Sequence, residues 1–148
     1  MKDPQQKDLI TKRWRRYAPP QPSELQVQIS VVAYARMMAK PDVVFWHCPN
    51  GELRDKRTAA KLKAMGTLPG VSDLIFVRRS PWSVDCMPAV LCLEIKASKG
   101  KQSDAQLAFE AAVKAAGCYY AIARDLDGAI GVLEHYGMVR PRQAAGRR

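Results

Sequence analysis

The sequence has no apolar run long enough to cross a membrane. A transmembrane helix needs about 18 consecutive apolar residues, and no stretch of this chain approaches that length. The polar N-terminus also lacks the apolar core of a secretory signal peptide. We therefore expect a cytoplasmic protein in a compartment where thiols stay reduced.

Cysteine pairs with the spacing of zinc ligands are absent as well. The cysteines are irregularly spaced and include no Cys-x-x-Cys pair; they are Cys48, Cys86, Cys92 and Cys118. This spacing argues against a structural zinc site. Cys92 and Cys118 lie in apolar runs, where we interpret them as small core residues. His47 has no partner in the sequence for a metal pair, so we expect a packed or hydrogen-bonded histidine.

Acidic side chains are scarce relative to basic ones. The chain has 14 Asp and Glu against 24 Lys and Arg, a formal net charge of +10. Such an excess predicts an anionic partner, most commonly nucleic acid, and a merely solubilising surface charge is the alternative. The length of 148 residues suits one domain with tails, large enough to fold without disulfides or structural metals.

The two ends of the chain differ in composition from its middle. Residues 1–22 are polar and basic and end in a proline-rich stretch, so we predict a flexible arm that contacts phosphates or is simply solvated. Residues 138–148 are predicted to form a basic C-terminal tail. The folded domain is predicted to span residues 23–137.

Apolar patterning in this domain predicts helices and strands in the order α-β-(α)-β-β-α-β-α. The predicted strands are 43–48, 71–77, 90–95 and Tyr119–Ala123, and the predicted helices are 23–39, 52–65, 103–116 and a last helix from Asp127. We place Leu25, Ile29 and Val32 on the apolar face of the first helix. The order predicts an α/β fold with a mixed sheet and helices on its faces.

Two of the predicted strands carry charges in apolar surroundings. One contains Asp73, and the other contains Glu94 and leads into Lys96. Because side chains alternate along a strand, Glu94 and Lys96 project from one face, about 6.6 Å apart. A hairpin of the two strands brings Asp73 close to them. Two converging carboxylates suit Mg²⁺ or Mn²⁺, and a buried ion pair with Lys96 is the alternative.

Basic residues flank this predicted site. The segment 52–65 lies between the first strand and the strand of Asp73, so we expect it to overhang the site and bind DNA phosphates; a solvated helix face is the alternative. The residues assigned to DNA contact are Asn50, Arg54, Lys56, Arg57, Lys61 and Lys63, together with Lys99 and Lys101 after the third strand.

These motifs in this order resemble the VRR-NUC domain family of the PD-(D/E)XK nucleases. The resemblance covers about residues 23–136. It rests on Glu24 with Gln28, the turn at 47–51, the segments 59–66 and 69–74, Glu94-x-Lys96 and Gln106.

The resemblance implies a restriction-endonuclease-like core and a set of roles. Asp73 and Glu94 would bind the metal, joined by the backbone carbonyl of Ile95. Lys96 would be the catalytic lysine. The resemblance also implies that Glu24 supports the metal or its water from the first helix, and that Gln106 faces the site. Spacing alone explains these last two residues equally well as helix-capping residues.

The activity that the resemblance implies is a structure-specific endonuclease that hydrolyses branched DNA, such as a four-way junction or a flap, with metal-activated water. Stand-alone members of the family resemble phage and bacterial enzymes and are often dimers, so we expect a homodimer and no small-molecule cofactor. Two alternatives stay open: a catalytically silent nucleic-acid-binding module with this fold, and a nuclease acting on single strands. The loop at 78–88 is longer than the family's pattern.

Overall fold

The computed structural model describes residues 20–49, 56–79 and 87–142. The helices in these ranges are α1 (Glu24–Met38), α2 (Lys56–Ala64), α3 (Asp104–Ala115) and α4 (Leu126–His135). The strands are β1 (Val44–His47), β2 (Leu74–Arg79), β3 (Pro88–Ile95) and β4 (Tyr119–Ala123). This is the predicted order of elements. Most of the predicted arm, most of the loop at 78–88 and residues 143–148 of the predicted tail lie outside the described residues.

The four strands form one mixed sheet in the order β1-β2-β3-β4. The first three strands are antiparallel neighbours, and β4 pairs parallel to β3. A parallel pair needs a crossover connection, and α3 provides it between β3 and β4. The predicted mixed sheet with helices is therefore confirmed. None of the described helices has the length and apolar character that a membrane crossing requires.

Alternating side chains of β3 separate two layers of core. Leu91, Leu93 and Ile95 pack in one apolar cluster with α1 and α4, as expected for one face of the strand. Cys92 belongs to a second cluster, on the other face, which includes Phe109 of α3. Glu94 shares the Cys92 face because side chains two residues apart project alike. The sheet therefore places the glutamate on the side that α3 covers.

The buried face of α1 differs from the predicted one. Leu25 and Ile29 are 65% and 60% exposed, whereas Val27, Val31 and Ala35 are buried against the sheet. Both sets recur with helical period, because α1 is apolar around much of its circumference. Periodicity predicted the helix correctly, but only packing against the sheet selects which of two adjacent apolar faces is buried.

Several element boundaries within the described residues also differ from the predicted ones, by one to three residues. β2 begins at Leu74, so Asp73 lies one residue before the strand rather than inside it. The last helix begins at Leu126 rather than Asp127, because the side chain of Asp125 accepts a hydrogen bond from a first-turn N–H and caps the helix. The cap at Asp125 is a local hydrogen bond, whereas the hydrogen bonds of Asp73 reach Cys48 and Ile95; an apolar pattern reports neither kind.

Gly70 brings the segment before β2 into close contact with α3. Its φ is +78°, a left-handed conformation that favours glycine. A Cβ atom at this position would lie 2.2 Å from the carbonyl oxygen of Ala105 and 2.6 Å from the backbone nitrogen of Gln106. The close approach therefore requires the absence of a side chain.

We predict that Gly70→Ala destabilises the protein more than Gly66→Ala does, by about 2 kcal/mol or more. Gly66 is the matched control, because its φ is +94° but a Cβ there would meet nothing within 4 Å. Gly66→Ala is expected to cost only the left-handed backbone penalty of about 1–2 kcal/mol. Urea unfolding of both variants measures the difference. Equal losses would contradict the close packing of Gly70 on α3.

Candidate active site

Asp73 is held between β1 and β3. Its backbone carbonyl accepts a hydrogen bond from the N–H of Cys48 (3.0 Å) and lies 2.8 Å from Nδ1 of His47. Its Oδ2 accepts a hydrogen bond of 2.8 Å from the backbone N–H of Ile95. The carboxylate is thus directed at the end of β3. The segment before β2 fixes it there although Asp73 itself is not a strand residue.

His47 is hydrogen-bonded rather than grouped with other metal-binding side chains. Its Nδ1 lies 2.8 Å from Nε2 of Gln28 and 2.8 Å from the backbone oxygen of Asp73. The histidine therefore links α1 to the segment that carries Asp73, as a structural contact of the kind expected from the sequence.

Glu94 is the most deeply buried charged residue described, with 1% of its surface exposed. Its Oε1 accepts a hydrogen bond from Nε2 of Gln106 and lies 2.9 Å from Nζ of Lys96. Its Oε2 is buried and has no hydrogen-bond partner. Both described contacts of the carboxylate are therefore on Oε1, and Oε2 has no hydrogen-bond partner.

Lys96 is close to Glu94, as strand alternation predicts. Its side chain is only 12% exposed. Its backbone N–H donates to the carbonyl of Ala123 at the end of β4 (2.9 Å), so the parallel pairing of β3 and β4 continues through this residue. The ion pair that sequence reasoning held as an alternative is therefore present, and it leaves Oε2 of Glu94 unused.

Gln106 has two contacts at the start of α3. Its side-chain oxygen accepts a hydrogen bond from the backbone N–H of Ser103 (2.9 Å), and the Ser103 hydroxyl accepts one from the N–H of Gln106, which completes a capping box. Its Nε2 donates to Glu94. Capping and a site contact are thus compatible, since the amide has one acceptor and two donors.

Glu24 lies at the start of α1 and reaches the chain beyond Lys96. Its Oε1 accepts a hydrogen bond of 2.7 Å from the backbone N–H of Ala97. Within the described ranges, no three His, Cys, Asp or Glu side chains form a group that could hold a metal ion. The ligand role of Glu24 therefore stays a prediction, and the contact that the structure describes is with the backbone.

Burial raises the pKa values of both site carboxyls. For Asp73, loss of hydration raises the pKa, while the N–H of Ile95 and the charge of Lys96 oppose the rise. For Glu94, loss of hydration again raises the pKa, the hydrogen bond from Lys96 lowers it, and the charge of Asp73 raises it. Two acids that share a poorly hydrated space repel each other when ionised.

These side chains line one pocket of about 310 Å³. The lining residues are Glu24, Gly70, Val71, Asp73, Glu94, Ile95, Lys96, Ser103 and Gln106. All five side chains predicted to be catalytic therefore meet at this pocket, together with Ile95. They come from α1, the segment before β2, the end of β3 and the start of α3, so most of the fold contributes to the site.

The residues of the pocket fit a divalent cation. Asp73 and Glu94 supply carboxylate oxygens, the ligand type that Mg²⁺ and Mn²⁺ prefer. A cation would satisfy Oε2 of Glu94, which is otherwise a buried and unpaired polar atom. It would also offset the charge of Asp73, which adds to the effect of burial in raising the pKa of Glu94.

Those predicted DNA-binding residues that the structure describes are not part of the pocket lining. The basic side chains of α2 are exposed, and α2 buries none of its residues. No residue of α2, which is described in full, lines the pocket. Lys99 and Lys101 are exposed in the turn after Lys96. Asn50 and Arg54 lie outside the described residues.

Sequence reasoning missed Arg124, which follows β4 and contacts the same turn. Its Nη1 donates to the carbonyl oxygens of Ala97 (2.7 Å) and Gly100 (2.9 Å). One arginine among many basic residues carries no sequence signal of this kind, because its partners are backbone carbonyls more than twenty residues away.

The mixed sheet brings two carboxylates and a lysine together at the end of the β2–β3 hairpin, an arrangement that indicates a nuclease-like fold. Similarity to a solved structure agrees with this class. A solved structure described as a VRR_NUC domain protein is similar to this chain, with a TM-score of 0.60, 22% sequence identity and coverage of 79% of this chain and 89% of that one. The chain therefore has the fold of a VRR_NUC domain, which confirms the resemblance at the level of fold. No protein-family model and no curated protein matches the chain.

We predict that the stability of the metal-free protein relative to its Glu94→Gln variant falls as the pH rises. Glu94 has a pKa raised above the ordinary 4.5, so the folded protein binds this proton more tightly than the unfolded chain does. The stability that this group contributes is complete below pH ~4.5 and is lost as the pH rises through the raised pKa. Thermal unfolding of both proteins with EDTA, between about pH 4 and pH 8, measures the difference in Tm.

Mg²⁺ or Mn²⁺ is expected to raise the wild-type Tm more at neutral than at acidic pH, because protons compete with the cation for the carboxylates. Glu94→Gln serves as the control and is expected to show a much smaller cation effect. A difference in Tm that does not change with pH, or an equal cation effect in both proteins, would contradict this account of Glu94.

Proposed function

We propose that this protein is a metal-dependent, structure-specific DNA endonuclease that hydrolyses phosphodiester bonds in branched DNA. One observation carries the proposal: Asp73, Glu94 and Lys96 line one pocket, and a buried oxygen of Glu94 has no hydrogen-bond partner. A buried carboxylate oxygen without a hydrogen bond is costly in a site that has no ligand. Such an arrangement is expected where the native ligand is a cation.

Asp73 and Glu94 would hold the cation, with the backbone carbonyl of Ile95 as a third ligand and Mg²⁺ or Mn²⁺ as the ion. When bound, the cation supplies charge that polarises the phosphodiester, lowers the pKa of a coordinated water and stabilises the leaving oxygen. Gln106 would keep Glu94 oriented, because its amide donates to one oxygen of the carboxylate. Glu24 would fix the backbone beyond Lys96 through the N–H of Ala97.

Lys96 would hold the attacking water and neutralise charge in the transition state. In the proposed hydrolysis, the water oxygen releases one proton to the solvent and forms a bond to phosphorus in line with the bond that breaks. The bond between phosphorus and the 3′ oxygen breaks, and the 3′ oxygen receives a proton. The products are a 5′-phosphate and a 3′-hydroxyl. The ammonium suits both roles, since its side chain is largely shielded from solvent and lies 2.9 Å from Glu94.

The proposed substrate is DNA with a four-way junction or a flap. The formal net charge of +10 supports an anionic polymer as the partner. The proposed phosphate contacts are the exposed basic face of α2 together with Asn50, Arg54, Lys99 and Lys101. A homodimer would match the two-fold symmetry of a four-way junction. We propose that the protein acts in the cytoplasm.

A silent nucleic-acid-binding module is the second candidate. It is favoured by the Glu94–Lys96 ion pair, because a buried pair of this kind is also a stable arrangement without a metal. The two candidates differ in what the site residues do. In a silent module, removing the ion pair changes stability, and no cleavage exists to be lost.

We predict that Asp73→Asn, Glu94→Gln and Lys96→Met each lower cleavage by about 100-fold or more while DNA binding is retained. The assay uses end-labelled four-way junctions, flaps, linear duplexes and single strands, with Mg²⁺, Mn²⁺ or EDTA. Lys114→Met is the matched control, because Lys114 also pairs with a glutamate, Glu110, but on the exposed side of α3. That variant is expected to cleave as the wild type does.

Three outcomes would overturn parts of this proposal. Binding without cleavage of any substrate by the wild type would favour the silent module. Cleavage of single strands alone would replace branched DNA as the substrate. Full activity in purified Asp73→Asn or Lys96→Met would remove the pocket from the mechanism.

A further inference from the structure

The turn that follows Lys96 is fastened by side chains from two distant parts of the chain. Nη1 of Arg124 donates to the carbonyl oxygens of Ala97 (2.7 Å) and Gly100 (2.9 Å) and lies 3.5 Å from that of Ser98. Hydrogen bonds from a guanidinium are charge-assisted and stronger than those between neutral groups. Arg124 therefore donates hydrogen bonds to carbonyls that would otherwise bind water.

The opposite side of the turn is held by Glu24. Its Oε1 accepts the N–H of Ala97 (2.7 Å), while the N–H of Gly100 donates to the carbonyl of Ala97 (2.9 Å). A Cβ atom on Gly100 would lie 3.2 Å from Oε1 of Glu24, so the turn packs closely on this carboxylate. The carboxylate of Glu24 thus accepts an N–H of the turn, and the guanidinium of Arg124 donates to its carbonyls.

The position of Arg124 connects this turn to Lys96. Arg124 follows Ala123, whose carbonyl accepts the backbone N–H of Lys96 (2.9 Å). The backbone bond at Ala123 and the side-chain bonds of Arg124 therefore act on adjacent residues, Lys96 and Ala97. The turn also carries Lys99, and Lys101 follows it; both are exposed and available to a phosphate.

We propose that Arg124 is a positioning residue of the proposed nuclease. It keeps the Ala97–Gly100 turn in one conformation, so that Lys96 stays beside Glu94 and Lys99 and Lys101 approach DNA from a fixed backbone. This inference rests on the proposed function, and it assigns Arg124 no contact with DNA or with a metal. Both short contacts are made by Nη1, whose two N–H groups suffice for the carbonyls of Ala97 and Gly100.

The first measurement is amide hydrogen exchange of the turn, followed in the metal-free protein. In Arg124→Met, exchange at Ala97 and Gly100 is expected to rise at least about tenfold, the equivalent of one charge-assisted hydrogen bond. Exchange in β2 and β3 is expected to be unchanged. Arg36→Met is the control, because Arg36 is exposed on α1, away from the turn.

The second measurement is cleavage, analysed as separate kcat and KM values. Arg124→Met is expected to lower kcat by about 10- to 100-fold, because a small displacement of a reacting group has a large effect on rate. KM and the salt dependence of DNA binding without metal are expected to stay near those of the wild type. Arg124→Lys is expected to recover part of the lost kcat.

Several results would overturn the proposal. Unchanged exchange at Ala97 and Gly100 would show that Arg124 does not hold the turn. A higher KM with a shallower salt dependence, at unchanged exchange, would make Arg124 a direct phosphate contact. Equal effects of Arg36→Met would indicate a general loss of positive charge.

Two further arms keep the test decisive. Should Arg124→Met fail to fold, Arg124→Lys replaces it in both measurements. Faster exchange in the turn together with a lower kcat supports the role of Arg124. Wild-type values for both quantities overturn it. Should the wild type cleave no DNA, the proposed function fails, while the exchange measurement still decides whether Arg124 holds the turn.

Discussion

The carboxylate of Glu94 lies almost fully buried at the end of β3, where a charge must be compensated by its surroundings. Lys96 and Gln106 both approach one of its oxygens, and the other is left without a partner. The pocket can be understood as the environment of this one group. Lys96 reduces the cost of burial and Gln106 orients the carboxylate, while a cation at the second oxygen belongs to the function that we propose.

The sheet and its crossover helix make this arrangement possible. Pairing of Leu74 with Leu93 places Asp73 next to the end of β3, where its side chain binds the N–H of Ile95. The crossover through α3 then returns Gln106 to the same point, and Gly70 allows the helix to approach closely. Acidic and amide groups from separate segments meet because the parallel step from β3 to β4 requires a helix on that face.

Prediction from sequence worked best where one physical cause determined the pattern. Alternation along β3 correctly placed Glu94 and Lys96 together, because side-chain direction in a strand follows from backbone geometry. The predicted buried face of α1 was wrong, because Leu25 and Ile29 are exposed whereas Val27 and Val31 are buried. Two neighbouring faces of that helix satisfy the same period, and the choice between them depends on the sheet.

The sequence by itself determined the order of elements. It also showed that charged side chains lie in or beside apolar strands, because periodicity and the cost of burying a charge are local properties. It also carried the motif order from which the VRR-NUC resemblance was inferred. Only the tertiary structure decided that Asp73 precedes its strand, that Gln106 both caps α3 and binds Glu94, and that Arg124 holds the turn after Lys96. These contacts join atoms of residues distant in sequence, and hydrogen bonds to backbone groups leave no trace in residue spacing.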